Sequence, residues 1–145
     1  MQKILIRKAT REELEWINSK YSQIGFVHSN FEKEIIAIAE YKGQRCGLGR
    51  IVTIDENNCE LGGMFVFEEF RGMKIAQKII EFLLNEENAS HENIWCLPFA
   101  KLNDFYASFG FEDYKAKNIQ VPKAVLDKYN WCNSTYDDKV LLLVK

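Results

Sequence analysis

The segment Met64 to Ala76, M-F-V-F-E-E-F-R-G-M-K-I-A, concentrates more chemistry than any other stretch of the chain. An apolar run ends, a glycine-containing turn follows, and an amphipathic helix begins. Backbone N–H groups at a helix start have no intrahelical partner. With the positive end of the helix dipole they form a seat for a phosphate or pyrophosphate, and Arg71 sets a fixed cation beside Gly72. Taken alone, the pattern reads equally as a phosphate-bearing ligand at a helix start or as an amphipathic helix entered through a glycine turn. Other chemistry is sparse. The 145 residues hold no Gly-x-Ser-x-Gly, no His-Glu-x-x-His and no Walker-type loop. Cys46, Cys59, Cys96 and Cys132 make no C-x-x-C pair. Together with the isolated His28 and His91 they give no metal-ligand spacing, so no metal is expected and the thiols read as reduced and buried.

The elements around this segment follow from hydrophobic period. Ile4 to Arg7 reads as a short strand. Thr10 caps a helix, with Glu13 completing a capping box, and Leu14, Ile17 and Tyr21 recur at helical spacing. Ser22 to Glu32 reads as a loop or an irregular helix. Glu34 to Tyr41, the turn Lys42-Gly43 and Gln44 to Ile54 form a hairpin. A second turn, Asp55 to Asn58, leads into a strand from Cys59 to Phe67. From Ile75 the apolar residues Ile75, Ala76, Ile79, Ile80, Phe82, Leu83 and Leu84 oppose Lys74, Gln77, Lys78, Glu81 and Asn85, which predicts an amphipathic helix. A strand at Asn93 to Leu97 follows, and a helix crossing between two strands implies a parallel pair. Leu102 to Ser108 reads as a further helix, followed by a strand into Tyr114, and Lys139 to Val144 as the last strand. The order predicts a single α+β or mixed α/β domain over 1–145, its sheet part antiparallel and part parallel.

Composition agrees. Hydrophobic residues make up 47% and charged residues 28%, ordinary for a globular domain. Nineteen basic residues are scattered among twenty-one acidic ones, without the basic stripe a nucleic-acid binder carries. No apolar run approaches membrane-spanning length, and the N-terminal run is too short for a signal peptide. The expectation is a cytoplasmic protein with neither nucleic acid nor membrane as partner.

Two short patterns together resemble the GNAT superfamily of N-acetyltransferases. One is a hydrophobic strand ending near Val66, then Arg71-Gly72-Met73-Lys74-Ile75-Ala76, similar to the family's Arg-Gly-x-Gly-x-Gly/Ala turn before a helix. The other is Phe105-Tyr106, three residues, then Gly110-Phe111. The element order matches over nearly the whole chain. One position departs: Lys74 stands where the family has glycine. A second departs too, since the Asn often found about two helical turns before the tyrosine in relatives is here Phe99, the nearest Asn being Asn103.

The resemblance implies a GNAT-like fold: a central mixed sheet of about six to seven strands, an antiparallel N-terminal meander followed by a βαβ crossover, with about four flanking helices. It implies acetyl-CoA as cosubstrate and an amine acceptor whose identity is open, and a homodimer is common among relatives. The cofactor residues it implies are Phe65, Val66, Phe67, Arg71, Gly72, Met73, Lys74, Ile75, Ala76 and Asn103. In such enzymes an amine attacks the thioester directly in a ternary complex. Tyr106 matches the general acid for the leaving thiolate, the other reading being a packed aromatic. Glu60 corresponds, counting back from Val66, to the glutamate base of the histone-acetylating branch, the other reading being a solvated strand-end glutamate. Trp16, Phe26, His28, Trp131 and Tyr136 fall in segments that line the acceptor side in relatives, where their spacing also suits a core. An acyl-CoA-binding or interaction module on the same fold is the alternative function.

Overall fold

The computed structural model describes residues 3–145. Seven strands form one mixed sheet in the order β1-β2-β3-β4-β5-β7-β6. They are β1 (Ile4–Lys8), β2 (Glu34–Tyr41), β3 (Gln44–Thr53), β4 (Asn58–Val66), β5 (Asn93–Cys96), β6 (Glu112–Asp113) and β7 (Leu143–Val144). Pairing is antiparallel for β1 with β2 and β2 with β3, parallel for β4 with β5, and antiparallel for β5 with β7 and β6 with β7. The helices are α1 (Leu14–Gln23), α2 (Ile75–Glu87), α3 (Asn103–Ala107) and α4 (Lys123–Thr135). The chain divides into two compact units, and β4 runs from one into the other.

The first unit holds residues up to Val52 together with Gly63–Ser90. The Thr10–Glu13 capping box forms, but its first turn is a 3-10 turn over Arg11–Glu13 and the α-helix starts at Leu14. Ile17 and Tyr21 of α1 pack with Ile36, Ile38 and Leu48 on one face of β2 and β3. Alternate side chains of a strand face opposite ways, so Gly47 and Gly49 of β3 face α2. A Cβ at Gly49 would collide with Met64 and Ile79, so the missing side chain is what lets α2 lie close to the sheet. Ile79, Ile80 and Leu83 are fully buried, each worth about 1.5–3 kcal/mol. The helix ends at Asn88 in the left-handed region, whose N–H reaches the Leu84 carbonyl.

The second unit holds Thr53–Gly62 and His91–Lys145. Asn58 starts β4 and fixes its register on β5: its Oδ1 accepts from Trp95 Nε1 at 2.8 Å and Asn93 Nδ2 at 3.2 Å. Trp95 then packs with Val125 of α4 and with Leu142 and Val144. Two readings of the sequence change here. The last strand is shorter than Lys139 to Val144: Val140 makes an isolated bridge to Phe99, and regular pairing is limited to Leu143 and Val144. Helix α4 lies in a stretch for which the sequence predicted no element. Its end is pinned by Asn133, which exchanges two hydrogen bonds with the Val140 backbone at 2.8 and 3.1 Å. No helix among the described residues is long and apolar enough to cross a membrane.

Candidate active site

The connection from β4 to α2 encloses an open cleft of about 330 Å³. Of the residues expected to hold the cofactor, Phe65, Val66, Arg71, Gly72, Lys74, Ile75 and Ala76 line it, joined by Met64 and Phe70. Phe67 and Met73 are not among its lining residues, and Asn103 begins α3 in the second unit, exposed. After β4 the chain makes a 3-10 turn over Glu68–Phe70. It then passes Gly72 at φ +86° and enters α2 through Lys74, itself left-handed at φ 61°, ψ 29°. No side chain caps this helix start and its first turn holds no acidic residue. The first donor to bond within the helix is the Lys78 N–H, to the Lys74 carbonyl at 3.2 Å. The N–H groups before it are the donors that the dipole argument needs. Arg71, Lys74 and Lys78 are all exposed around them, and Arg71 Nε donates to the Val66 carbonyl at 3.2 Å. Lys74 shows what glycine supplies in the family pattern: a left-handed residue with a Cβ costs about 1–2 kcal/mol.

Gly63 is also left-handed, at φ +63°, inside β4, the usual mark of a bulge in a strand. The register of β4 on β5 runs from Asn58↔Asn93 to Leu61↔Cys96 and stops there, two residues short of Gly63. Tyr21 of α1 donates its hydroxyl hydrogen to the Gly63 carbonyl at 2.8 Å. Arg50 stacks over the Tyr21 ring at 4.4 Å and donates to Ser29 Oγ at 2.6 Å. A Cβ on Gly63 would lie 2.7 Å from Tyr21 Oη and 2.8 Å from Arg50 Nε. Glycine is therefore required there by conformation and by space. The sequence places Tyr21 only at helical spacing with Leu14 and Ile17, and its contact with Gly63 of β4 is not legible there. The Gly62-Gly63 pair inside a predicted strand was the available signal.

In the second unit, Tyr106 of α3 is 5% exposed, with Phe105 and Phe111 edge-on at 5.2 and 6.1 Å. Its hydroxyl has no hydrogen-bond partner among the described residues. Burial, with Cys96 as a lesser cause, pushes its pKa upward, so it holds its proton at neutral pH and can act only as a donor there. Glu60 sits opposite Trp95 in the β4–β5 register. It is not a solvated strand-end residue: its side chain is 12% exposed and its Oε2 lies 2.6 Å from Lys128 Nζ of α4.

An α+β domain whose strand β4 carries a left-handed glycine and leads through a glycine turn into an uncapped helix start is the class these features define. The acetyltransferase (GNAT) domain family matches residues 32–113, and the chain belongs to that family. Solved structures share the fold at low identity. The Mycobacterium tuberculosis protein Rv2747, in complex with CoA, is 15% identical with a TM-score of 0.72, covering 97% of each chain. A GNAT family acetyltransferase from Elizabethkingia anophelis with acetyl-CoA bound is 14% identical with a TM-score of 0.66, covering 97% of this chain and 96% of that one. Arabidopsis thaliana Naa50, in complex with the bisubstrate analogue CoA-Ac-MVNAL, is 15% identical with a TM-score of 0.64, covering 98% and 97%. No curated protein matches the chain.

Proposed function

We propose that the protein transfers an acetyl group from acetyl-CoA to a primary amine of a small molecule, peptide or protein, by direct attack in a ternary complex. The observation that carries this reading is the cleft at the α2 start: bare backbone N–H groups, no carboxylate in the first turn, and three exposed cations. The pyrophosphate sits on those N–H groups beside Arg71, Gly72, Lys74, Ile75 and Ala76. Pantetheine pairs with the backbone of Val66 beyond the last β4–β5 pair, flanked by Phe65 and by Phe67, the Phe67 N–H being held by the Cys46 carbonyl at 3.0 Å, and Arg71 gives up the Val66 carbonyl as it does so. Met73 shapes the turn, and Asn103 contributes from α3.

The amine lone pair attacks the thioester carbonyl, and the Val66 N–H stabilises the resulting oxyanion. The C–S bond then breaks, and the thiolate takes the proton of Tyr106. A lysine-like ammonium is neutral only about one time in a few thousand at pH 7, a cost of about 4–5 kcal/mol. Glu60, directly or through water, accepts the proton the amine sheds, and Lys128 holds that carboxylate in place. A cytoplasmic location and assembly as a homodimer belong to the same proposal. The near-complete burial of Tyr106, 5% exposed among Phe105 and Phe111, favours a second reading, a GNAT-fold acyl-CoA-binding module without catalysis.

Calorimetric titration with acetyl-CoA tests the first step, and micromolar binding by the wild type is expected. Absence of binding in the wild type would overturn the proposal, and binding only in Lys74→Gly would show that Lys74 closes the cleft. CoA release with a panel of amines then separates the two readings. Catalysis requires release that collapses in Tyr106→Phe, and the module predicts binding with no release.

A further inference from the structure

Lys20 of α1 is half-buried. Its ammonium lies 5.2 Å from the ring centre of Phe67 and 5.8 Å from that of Trp16. Trp16 and Phe67 meet edge to face at 6.0 Å, and Phe65 packs on Phe67 at 5.0 Å. Met64 turns toward Gly49 and Ile79 on the α2 side. Phe65 and Phe67 alternate with it along the extended chain and therefore face α1. The aromatic platform thus lies on the opposite face from α2, yet Phe65 also lines the cleft.

The charges around this platform do not balance. Arg45 stacks on Trp16 at 4.3 Å and pairs with Glu13 at 3.4 Å. Glu13 also pairs with Arg7, which reaches Glu40. Arg7, Arg45 and Lys20 therefore stand against two carboxylates, and Lys20 has no anionic partner among the described residues. The ring faces return only about 0.5–2 kcal/mol to a partly desolvated ammonium and fill none of its three N–H donors.

We propose that Lys20 determines acceptor specificity by binding a carboxylate on the amine substrate, so that the preferred acceptors are amines that carry a carboxylate. This rests on the acetyl-transfer reading. The cofactor's own phosphates have their seat at the α2 start, which leaves the α1 face of β4 to the acceptor. A carboxylate on Lys20, with the rest of the molecule across Phe67 and Phe65, brings the acceptor to the end of β4 where the thioester is proposed to lie.

The test measures CoA release from acetyl-CoA with paired acceptors: glutamate, leucine and phenylalanine, each beside its carboxamide, with spermidine and a short acidic peptide as further arms. The expected result is a carboxylate-over-amide ratio in kcat/KM of about tenfold, roughly 1.4 kcal/mol. That ratio falls toward one in Lys20→Met and is kept in Lys20→Arg. The free amino acids and the acidic peptide tell which source of carboxylate is used. A preference for amides or spermidine, or a ratio unmoved in Lys20→Met, would overturn the assignment. If no acceptor is turned over, the N-acetylated amino acids and their amides are titrated against the protein by tryptophan fluorescence, with Trp16→Phe as reference. Carboxylate-selective quenching lost in Lys20→Met supports the site, and quenching without that selectivity, or none, overturns it. Failure of acetyl-CoA to bind the wild type strikes the acetyl-transfer reading separately, because the fluorescence titration needs no acetyl-CoA.

Discussion

In the proposed reaction the β4–α2 turn and the second unit, with Tyr106 on α3 and Glu60 on β4 beside Lys128 of α4, supply chemistry in different ways. The turn works through backbone: unbonded N–H groups at a helix start, two left-handed residues and exposed cations. The second region works through side chains removed from water: Tyr106 at 5% exposure and Glu60 at 12%, each set by what packs around it. A backbone site needs the chain to take an uncommon path. A side-chain site needs partners brought from far along the sequence. Substitutions should therefore separate the two regions, the first responding in stability and ligand affinity, the second in turnover.

The largest effect is expected from Tyr106→Phe. Losing the acid of a general acid–base step costs about 10²- to 10⁴-fold in kcat. Because the hydroxyl has no partner among the described residues, urea midpoints should stay level or rise slightly. Comparable losses of stability and turnover in this variant would erase the distinction between the regions.

Gly63→Ala should do the reverse. A left-handed alanine costs about 1–2 kcal/mol, and its Cβ would press on Tyr21 Oη and Arg50 Nε. The total expected is about 2–4 kcal/mol of unfolding free energy, read by urea titration, with weaker acetyl-CoA binding alongside. Full stability in this variant would mean that β4 can straighten its bulge and that the backbone path is not what defines the site.

Lys128→Met tests the side-chain region by a smaller amount. It leaves the Glu60 carboxylate, mostly out of water, without its cation. Lys128 is itself nearly half exposed, so screening limits the loss to about 1 kcal/mol. Lys128→Arg should recover it in thermal melts, whereas a structural role of the lysine stem alone would not distinguish the charge.

How far each region was legible follows the same division. The turn is contiguous, so Arg71 to Ala76 could be read together and the helix after them had a clear period. Gly63 was less visible, because its conformation depends on Tyr21, forty-two residues away. Helix α4 was not legible, and the reason is local: Leu126 and Trp131 are 40% and 53% exposed, so large apolar residues on its outer face blur the stripe that Val125 and Cys132 mark. Without α4, the partner of Glu60 could not be named, since Lys128 is sixty-eight positions distant. The α+β class and the mixed sheet were readable from element order, and the extent of the last strand was not, because only two of its residues pair regularly.

The smallest expected effect falls on the position that departs from the family pattern. Lys74→Gly removes the left-handed cost of about 1–2 kcal/mol but returns about 0.5–1 kcal/mol of backbone entropy to the unfolded chain. A net gain of about 0.5 kcal/mol is expected in urea titrations. The same change removes one exposed cation from the cleft while leaving every N–H donor of the α2 start in place. An exposed lysine–phosphate pair of that kind is worth about 0.3–1 kcal/mol at low salt. Acetyl-CoA binding should therefore weaken by about two- to fivefold in low salt, and the difference should close as salt rises and screens the charge. A much larger loss, or one that salt does not diminish, would show that the lysine side chain rather than the backbone holds the cofactor, and the contrast between the two regions would fail at its clearest point.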